Sequence, residues 1–385
     1  MRNWLLPEHI QDLLPPEAAR VERARRSVLD LFRSHGYELV MPPLIEYVES
    51  LLSGTGQDLE LQMFKVVDQL SGRLMGVRAD ITPQVARIDA HLLNRRGVTR
   101  LCYAGSVLRT LPSSMTRTRE PLQLGAEIYG HAGPESDIEI QRLMLEALVR
   151  LGAKRVHLDL GHVGIYRALV RQARLGAQAE SDLFRALQGK DAPRVAELTA
   201  GLGVAPAFRL LPQLFGGREV LAEARTRLPP LPEVTRALDE LEAIAEGLAP
   251  HVDELSFDLA ELRGYHYHSG AVFAAYLPGS PAAMAQGGRY DEVGEAFGRA
   301  RPATGFSLDL RDFSALLTDD GSASILAPYS DDPGLAARVR ELRAAGEVVI
   351  VDLPGHDDSR DELACSREVV RADGGWKVVP RGGAK

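Results

Sequence analysis

The chain has 385 residues and 45% hydrophobic content, which is enough to bury a sizeable core and to form one large domain with a smaller one. Its formal net charge of -8 gives no overall attraction to a polyphosphate backbone, so nucleic acid is a disfavoured partner, although local basic patches are compatible with this balance. The two cysteines form neither a metal-ligand spacing nor a disulfide framework, and we find no signal peptide or long uncharged apolar run, so we expect a cytoplasmic protein that does not cross a membrane.

The first predicted elements are a helix, a strand and a hairpin. Apolar residues recur at helical spacing over 21–32, and a strand over 37–41 follows. After a glycine-bearing loop at 54–58, strands around 63–68 and 74–78 flank a Ser-Gly-Arg turn and predict the hairpin.

Asp80 lies just ahead of the next predicted helix. Thr82 is expected to be the N-cap and Pro83 to occupy the first helical position, because proline has no N–H to satisfy there. Taken alone, Asp80 is a residue type that caps helices.

The stretch 100–130 predicts two paired strands joined by a polar, basic loop, with Arg109 at the end of the first strand. In the second strand Gln123, Gly125 and Glu127 alternate with apolar residues, so their side chains share one face. A strand buried on both faces would be continuously apolar. This face therefore either lines a site for a small polar ligand, floored by the glycine, or simply meets water.

Helices are predicted through the middle of the chain. A helix over 134–151 and a strand over 156–160 precede a long span, about 164–250, in which prolines separate short helices. These prolines forbid long heptad runs, so we predict a helical insertion rather than a coiled coil. The sheet resumes at 256–260.

Two histidines stand close together in the segment that follows. His266 and His268, at positions i and i+2 of a strand, would share a face and could clamp a metal ion. No third ligand is evident nearby, so we expect ordinary polar lining and no metal.

The last part of the chain predicts a small α/β domain. A strand at 324–326, a helix after 331–332, a strand at 348–351 and a hairpin across 373–375 follow one another. The predicted domains are therefore 1–320 and 321–385.

Several motifs resemble, in chain order, those of the histidyl-tRNA synthetases, which are class II aminoacyl-tRNA synthetases. Pro42-Pro43 followed by Glu46 resembles the first class II motif, which in that family builds a dimer interface; the hairpin 100–130 resembles the second motif and 302–308 the third. The stretches 261–273 and 285–291 resemble the two histidine-specific signatures. The resemblance covers roughly four fifths of the chain. It implies an α+β fold with a class II synthetase-like antiparallel sheet flanked by helices, beside the helical insertion and the small C-terminal α/β domain.

The resemblance also implies a pocket for free histidine, with an acid for its ammonium group, a donor for its carboxylate and a hydrogen-bond partner for its ring. By this likeness the amino group is faced by Asp80, Thr82 and Gln123, the imidazole by Glu127 and Tyr267, and the carboxylate by Arg109 or Arg263, with His268 in the lining. Without the resemblance, Arg263 would be part of a structural salt bridge and Tyr267 a core aromatic residue.

The groups that hold ATP in the synthetases are missing. Pro121 stands where the synthetases have the aromatic residue that stacks on adenine, and Leu111 stands where they have a glutamate. Asp309 takes the place of a glycine, and Asp312 takes the place of the arginine that binds the terminal phosphate. An acidic residue beside a triphosphate costs several kcal/mol through like-charge repulsion. ATP binding is therefore expected to fail, although Arg311 lies next to Asp312 and a one-residue slip would restore a cation.

A histidyl-tRNA synthetase paralogue with an amino-acid pocket and no ATP grip is similar to the regulatory subunits of ATP phosphoribosyltransferase, the first enzyme of histidine biosynthesis. This likeness implies a noncatalytic chain without a cofactor. It also implies a homodimer within a hetero-octamer that contains the short-form catalytic subunit, which the chain activates and through which it relays inhibition by histidine. The alternatives are a histidyl-tRNA synthetase-like enzyme that adenylates histidine and a histidine-binding protein that acts on some other partner.

Overall fold

The computed structural model describes residues 4–53, 57–114, 117–265, 267–318, 324–355, 360 and 362–381. The chain divides into two compact units, Met1–Leu317 and Thr318–Lys385. Over the described ranges, no helix is long and apolar enough to span a bilayer. The predicted loop at 54–58 lies largely outside these ranges.

The helices of the first unit are, in chain order, α1 Pro15–Ser34, α2 Val48–Leu52, α3 Gln57–Gln62, α4 Thr82–Arg87, α5 Pro134–Arg150, α6 Val163–Ala173, α7 Ala177–Gln188, α8 Ala192–Leu198, α9 Ala205–Leu210, α10 Glu219–Arg227 and α11 Pro232–Leu248. A π-helical segment, Ile88–Leu93, continues α4, and short 3-10 turns occur at Leu211–Gln213, Val293–Phe297 and Leu310–Phe313. As predicted, helices (α6 to α11) dominate the insertion.

The strands of the first unit are β1 Glu38–Leu39, β2 Ile45–Tyr47, β3 Phe64–Val67, β4 Leu74–Val77, β5 Thr99–Ser106, β6 Leu122–Tyr129, β7 His157–His162, β8 Phe215–Gly216, β9 Glu254–Asp258, β10 Ala271–Tyr276, β11 Ala285–Arg289 and β12 Ala303–Asp309. The main sheet has the order β1-β5-β6-β12-β11-β10-β7-β9-β8, and β2, β4 and β3 form a separate antiparallel sheet. Within the main sheet, β1 is parallel to β5 and β7 to β9, while the other pairs are antiparallel.

This mostly antiparallel sheet with packed helices confirms the predicted α+β class. The predicted strand over 37–41 is shorter in the structure, because only Glu38 and Leu39 pair, with Leu101 and Cys102 of β5. Helices α1 and α5 pack on one face of the sheet; for example, the ring of Phe32 in α1 meets Phe306 of β12 edge-on at 5.9 Å.

The second unit contains β13 Ile325–Pro328, α12 Pro333–Ala344, β14 Val349–Asp352, β15 Arg367–Ala372 and β16 Gly375–Pro380, with the strand order β14-β13-β15-β16. Its helix begins as predicted: Asp332 accepts hydrogen bonds from the N–H groups of Gly334 and Leu335 at 2.7 and 3.3 Å. Apolar residues from α12 and three of the strands form a separate core in this unit.

Candidate functional site

A cavity of about 430 Å³ lies in the first unit, over the sheet at β6, β10, β11 and β12. Seven of the eight predicted ligand residues line it, and these are Asp80, Thr82, Arg109, Glu127, Arg263, Tyr267 and His268. The eighth, Gln123, is not part of the lining. The sheet thus brings together residues that are up to 188 positions apart in the chain (268 − 80).

Glu127 of β6 lies in the cavity wall with its carboxyl surrounded by phenol groups. The Tyr103 hydroxyl donates to Oε1 at 3.0 Å and the Tyr290 hydroxyl to Oε2 at 2.5 Å. Burial raises the pKa of Glu127 to about 8, and the two hydrogen bonds offset this only in part. The carboxyl is therefore mostly protonated at neutral pH.

The space for this carboxyl depends on a glycine in the neighbouring strand. Gly305 of β12 pairs with Glu127, and a Cβ at position 305 would overlap Oε2 of the glutamate. A Cβ at Gly125 would likewise overlap the Tyr103 hydroxyl. Both positions exclude any larger residue while this arrangement persists.

Gln123 holds Asp80 in place instead of facing the cavity. Its Nε2 donates to Asp80 Oδ1 at 2.8 Å, and its Oε1 accepts the N–H of Ile81 at 2.9 Å. Asp80 Oδ1 also accepts the N–H of Thr82 at 3.0 Å. The expectation that Thr82 is the N-cap is wrong: α4 begins at Thr82 itself, and its hydroxyl lies 2.9 Å from the Tyr103 hydroxyl.

Tyr267 and His268 extend the polar lining along a turn. The N–H groups of both residues donate to the Gly264 carbonyl at 2.7 Å, and Gly264 has a φ of +65°. Among the described residues, the buried Tyr267 hydroxyl has no hydrogen-bond partner, which leaves it for a ligand. Burial lowers the pKa of His268 to about 4, so its imidazole is neutral at pH 7.

The predicted strand with paired histidines is replaced by this turn, so the strand assignment is wrong there. His266 itself lies outside the described residues. Over the part of the chain that the structure does describe, no group of three His, Cys, Asp or Glu side chains is placed to hold a metal ion.

The two arginines of the cavity differ in how strongly they are held. Arg263 lies at the rim, where its Nη2 forms an ion pair with Glu261 Oε2 at 3.1 Å and donates to the Tyr276 hydroxyl at 3.3 Å. It is thus both part of a salt bridge and part of the lining. Arg109 donates from Nε to the Ala79 carbonyl at 3.3 Å.

The positions that were compared with the ATP site make internal contacts. Asp312 Oδ2 lies 2.9 Å from Nη2 of Arg117, which belongs to the basic hairpin loop. Asp309 accepts the N–H groups of Leu122 and Arg311 at 3.0 Å, and burial raises its pKa to about 6. Arg311 donates from Nη1 to the Glu120 carbonyl, 3.1 Å away, and from Nη2 to a second carbonyl. Neither aspartate nor Arg311 lines the cavity.

Sequence reasoning missed the cavity residues that come from outside the motifs. Leu59 and Gln62 of α3 and Phe184 and Gln188 of α7 all line the cavity. No motif identifies them, and a single sequence carries no signal that the insertion folds against the sheet at this point.

The arrangement suits a small zwitterion with a polar ring. The buried carboxyl of Glu127 and the buried hydroxyl of Tyr267 can hydrogen-bond a ring nitrogen. Asp80 can pair with an ammonium group, and the two arginines can pair with a carboxylate.

Comparison with known proteins gives consistent results. The model of the family described as "Histidyl-tRNA synthetase" matches residues 9–313, and the model described as "ATP phosphoribosyltransferase subunit HisZ C-terminal domain" matches residues 322–379. The ATP phosphoribosyltransferase regulatory subunit of Nitrosospira multiformis is 57% identical over 387 residues, which is 98% of either chain. That of Burkholderia cenocepacia is 59% identical over 384 residues, which is 99% of this chain and all of the relative.

Solved structures show the same fold. The crystal structure titled as an ATP phosphoribosyltransferase regulatory subunit/histidyl-tRNA synthetase from Bacillus halodurans is 28% identical, with a TM-score of 0.82 over 94% of this chain and 96% of that one. Histidyl-tRNA synthetase from Nostoc sp. PCC 7120 is 17% identical, with a TM-score of 0.78 over 99% of this chain and 97% of that one. The second likeness concerns the fold alone.

Proposed function

Because the chain belongs to the histidyl-tRNA synthetase family and, within it, to the ATP phosphoribosyltransferase regulatory subunits, we propose that it binds free histidine in the cavity around Glu127 and Asp80 and regulates a short catalytic subunit. Histidine is the end product of the pathway that this transferase begins. A chain that binds it is therefore suited to feedback control.

The observation that carries the proposal is that carboxyl, hydroxyl and guanidinium groups lie around one cavity. Glu127 and Tyr267 offer ring partners at the buried end, Asp80 offers a carboxylate held by two donors, and Arg109 and Arg263 offer cations. Each buried charge-assisted hydrogen bond contributes about 1.5 to 3 kcal/mol. Together these contacts support micromolar-range binding after the cost of association.

The chain acts without chemistry of its own in this proposal. Asp312 is paired with Arg117, so an anion occupies the place of a phosphate-binding cation. The guanidinium of Arg311 donates to two backbone carbonyls and does not line the cavity, which supports the proposal that Arg311 does not restore that cation. Neither Asp312 nor Arg311 therefore offers a cation to a triphosphate beside histidine, which supports a chain that does not hold ATP there.

Regulation follows from linkage between two binding events. Histidine stabilises the arrangement of the cavity that it fits, and the partner's active state prefers another arrangement. A coupling free energy of about 1 to 3 kcal/mol is enough for a 5- to 150-fold change in affinity. The assembly we propose is a homodimer of this chain within a hetero-octamer that contains the short catalytic subunit.

Isothermal titration calorimetry tests the ligand. We expect saturable binding of histidine to the full chain, and a loss of at least roughly tenfold in affinity for Asp80→Asn, since one charge-assisted contact is removed. Asp68→Asn is a matched control, because Asp68 also accepts backbone N–H groups but is only half-buried and lies outside the cavity. Loss of affinity in both variants, or no binding by the unmodified chain, contradicts the assignment.

Activity measurements test the rest of the proposal. ATP-pyrophosphate exchange dependent on histidine should stay at background, and exchange above background would establish an adenylating enzyme instead. When the chain is co-expressed with a short ATP phosphoribosyltransferase from the same organism, the two should co-purify. Transferase activity should then require both chains and fall when histidine is added.

A further inference from the structure

Two residues of the insertion, Phe184 and Gln188 of α7, line the cavity. They are four positions apart, so they lie on one face of the helix. Leu183 and Leu187, each displaced by one position, are fully buried in the hydrophobic core. Helix α7 therefore turns one face to the core and another to the cavity.

Helix α7 is fastened to the turn at 261–268 through Tyr265. The Tyr265 hydroxyl donates to the carboxylate of Glu180 in α7. Its ring lies 5.3 Å from that of Phe184 and 5.1 Å from that of Tyr166 in α6. The turn that carries Arg263, Tyr267 and His268 is thus held by the insertion on one side and faces the cavity on the other.

Two further contacts fix this junction. Arg167 of α6 donates from Nη2 to the Tyr265 carbonyl at 3.0 Å, which holds the backbone of the turn. Just beyond the end of α7, Lys190 Nζ lies 3.0 Å from Asp258 Oδ2 of β9. Both ends of the cavity-facing segment of α7 are therefore tied to the sheet or to the turn.

We propose that Phe184 and Gln188 contact the ligand and so make the insertion part of the selective site. Phe184 is half-buried and supplies an apolar wall, while Gln188 is exposed at a polar rim that also contains Arg263 and Gln286, whose side chains are hydrogen-bonded at 3.4 Å. In this proposal the ring of the ligand lies at Glu127 and its carboxylate lies toward this rim. The inference rests on the proposed function, because the ligand is taken to be free histidine.

Calorimetric titration of the full-length chain with histidine tests this role. We expect Phe184→Leu and Gln188→Ala each to weaken binding by roughly two- to tenfold, the range that a single hydrogen bond or a comparable contact contributes. Histidinol lacks the carboxylate, so Gln188→Ala should weaken its binding less than that of histidine. This difference would not arise from a purely structural effect.

The insertion offers a matched control. Gln178→Ala changes the same residue type in the same helix, where Gln178 bonds to Asp182 outside the cavity. This variant should bind histidine as the unmodified chain does. Thermal melting shows whether each variant is folded. If Phe184→Leu is unfolded, binding by Gln188→Ala decides whether α7 contacts the ligand, because Gln188 is exposed.

The outcomes separate this inference from the proposed function. Suppose that the unmodified chain binds histidine, and that Gln188→Ala and the folded Phe184→Leu variant bind it with dissociation constants within twofold of that value. The role of α7 is then refuted, and the histidine site stands. If the unmodified chain does not bind histidine, both proposals fall. Weakening in the α7 variants with an unchanged control supports the inference.

Discussion

The carboxyl of Glu127 is surrounded by phenols rather than by cations, and this sets its response to pH. Its folded-state pKa of about 8 lies above the ordinary value of 4.5, so the folded chain keeps a proton that the unfolded chain releases. The stability that depends on this proton is complete below about pH 4.5 and is lost as pH rises through about 8. A ligand that brings a positive charge or a ring N–H to this carboxyl reduces this loss of folding stability at high pH.

Glu127→Gln should therefore change the pH dependence of folding. We expect the variant to gain stability relative to the unmodified chain as pH rises from 5 to 8, by on the order of 2 to 4 kcal/mol, because the amide has no proton to lose. Urea denaturation at several pH values measures the difference in unfolding free energy.

Glu139→Gln provides a control with the opposite sign. Hydrogen bonding to Arg100 lowers the pKa of Glu139, so this carboxylate stabilises the folded chain above its ordinary pKa. Its loss should destabilise the chain at pH 7 and have little effect at pH 3. A pH-independent difference between the unmodified chain and Glu127→Gln would contradict the assignment of an elevated pKa.

At the scale of elements, the site depends on how closely β6 and β12 approach. Gly305→Ala should lower the unfolding free energy by about 1 to 3 kcal/mol and weaken histidine binding, since the added Cβ overlaps the Glu127 carboxylate and forces it to shift. Gly203→Ala is the control, because nothing lies within 4 Å of the Cβ position there. Thermal melting and calorimetry measure both variants, and equal behaviour of the two would show that β6 and β12 are not as closely packed as described.

Local elements were predictable because their signals are local. The helix at 21–32, the hairpin around Gly72 and the capped helix after Asp332 each follow from periodicity, turn residues or capping chemistry within a few positions. The N-cap prediction was wrong because Asp80 and Thr82 are both residue types that cap helices, and the sequence does not decide between them. In the structure Asp80 accepts the N–H of Thr82, and a hydrogen bond from the distant Gln123 holds the aspartate there.

Long-range arrangement was not predictable in the same way. Alternation placed Gln123 and Glu127 on one face of a strand, yet only Glu127 reaches the cavity, because Gln123 is drawn to the backbone of Ile81. The approach of Phe184 and Gln188 depends on packing of the insertion against a turn 77 residues further on (265 − 188). Motif resemblance thus predicted residues that line the cavity, whereas the contribution of α7 to the lining is seen only in the folded chain.

At the scale of the whole molecule, the two units have separate cores, and all the described residues that line the cavity belong to the first unit. A chain that ends at Leu317 should therefore fold and bind histidine with an affinity within about twofold of the full chain, since no contact of the site is removed. Calorimetric titration measures the affinity for histidine, and thermal melting shows whether the shortened chain is folded. Asp80→Asn in the shortened chain is the control that the measured heat comes from the histidine site. A shortened chain that folds cooperatively but no longer binds histidine would show that the second unit contributes to the site. A shortened chain that binds histidine but no longer activates the catalytic partner would show that the second unit serves assembly rather than ligand binding.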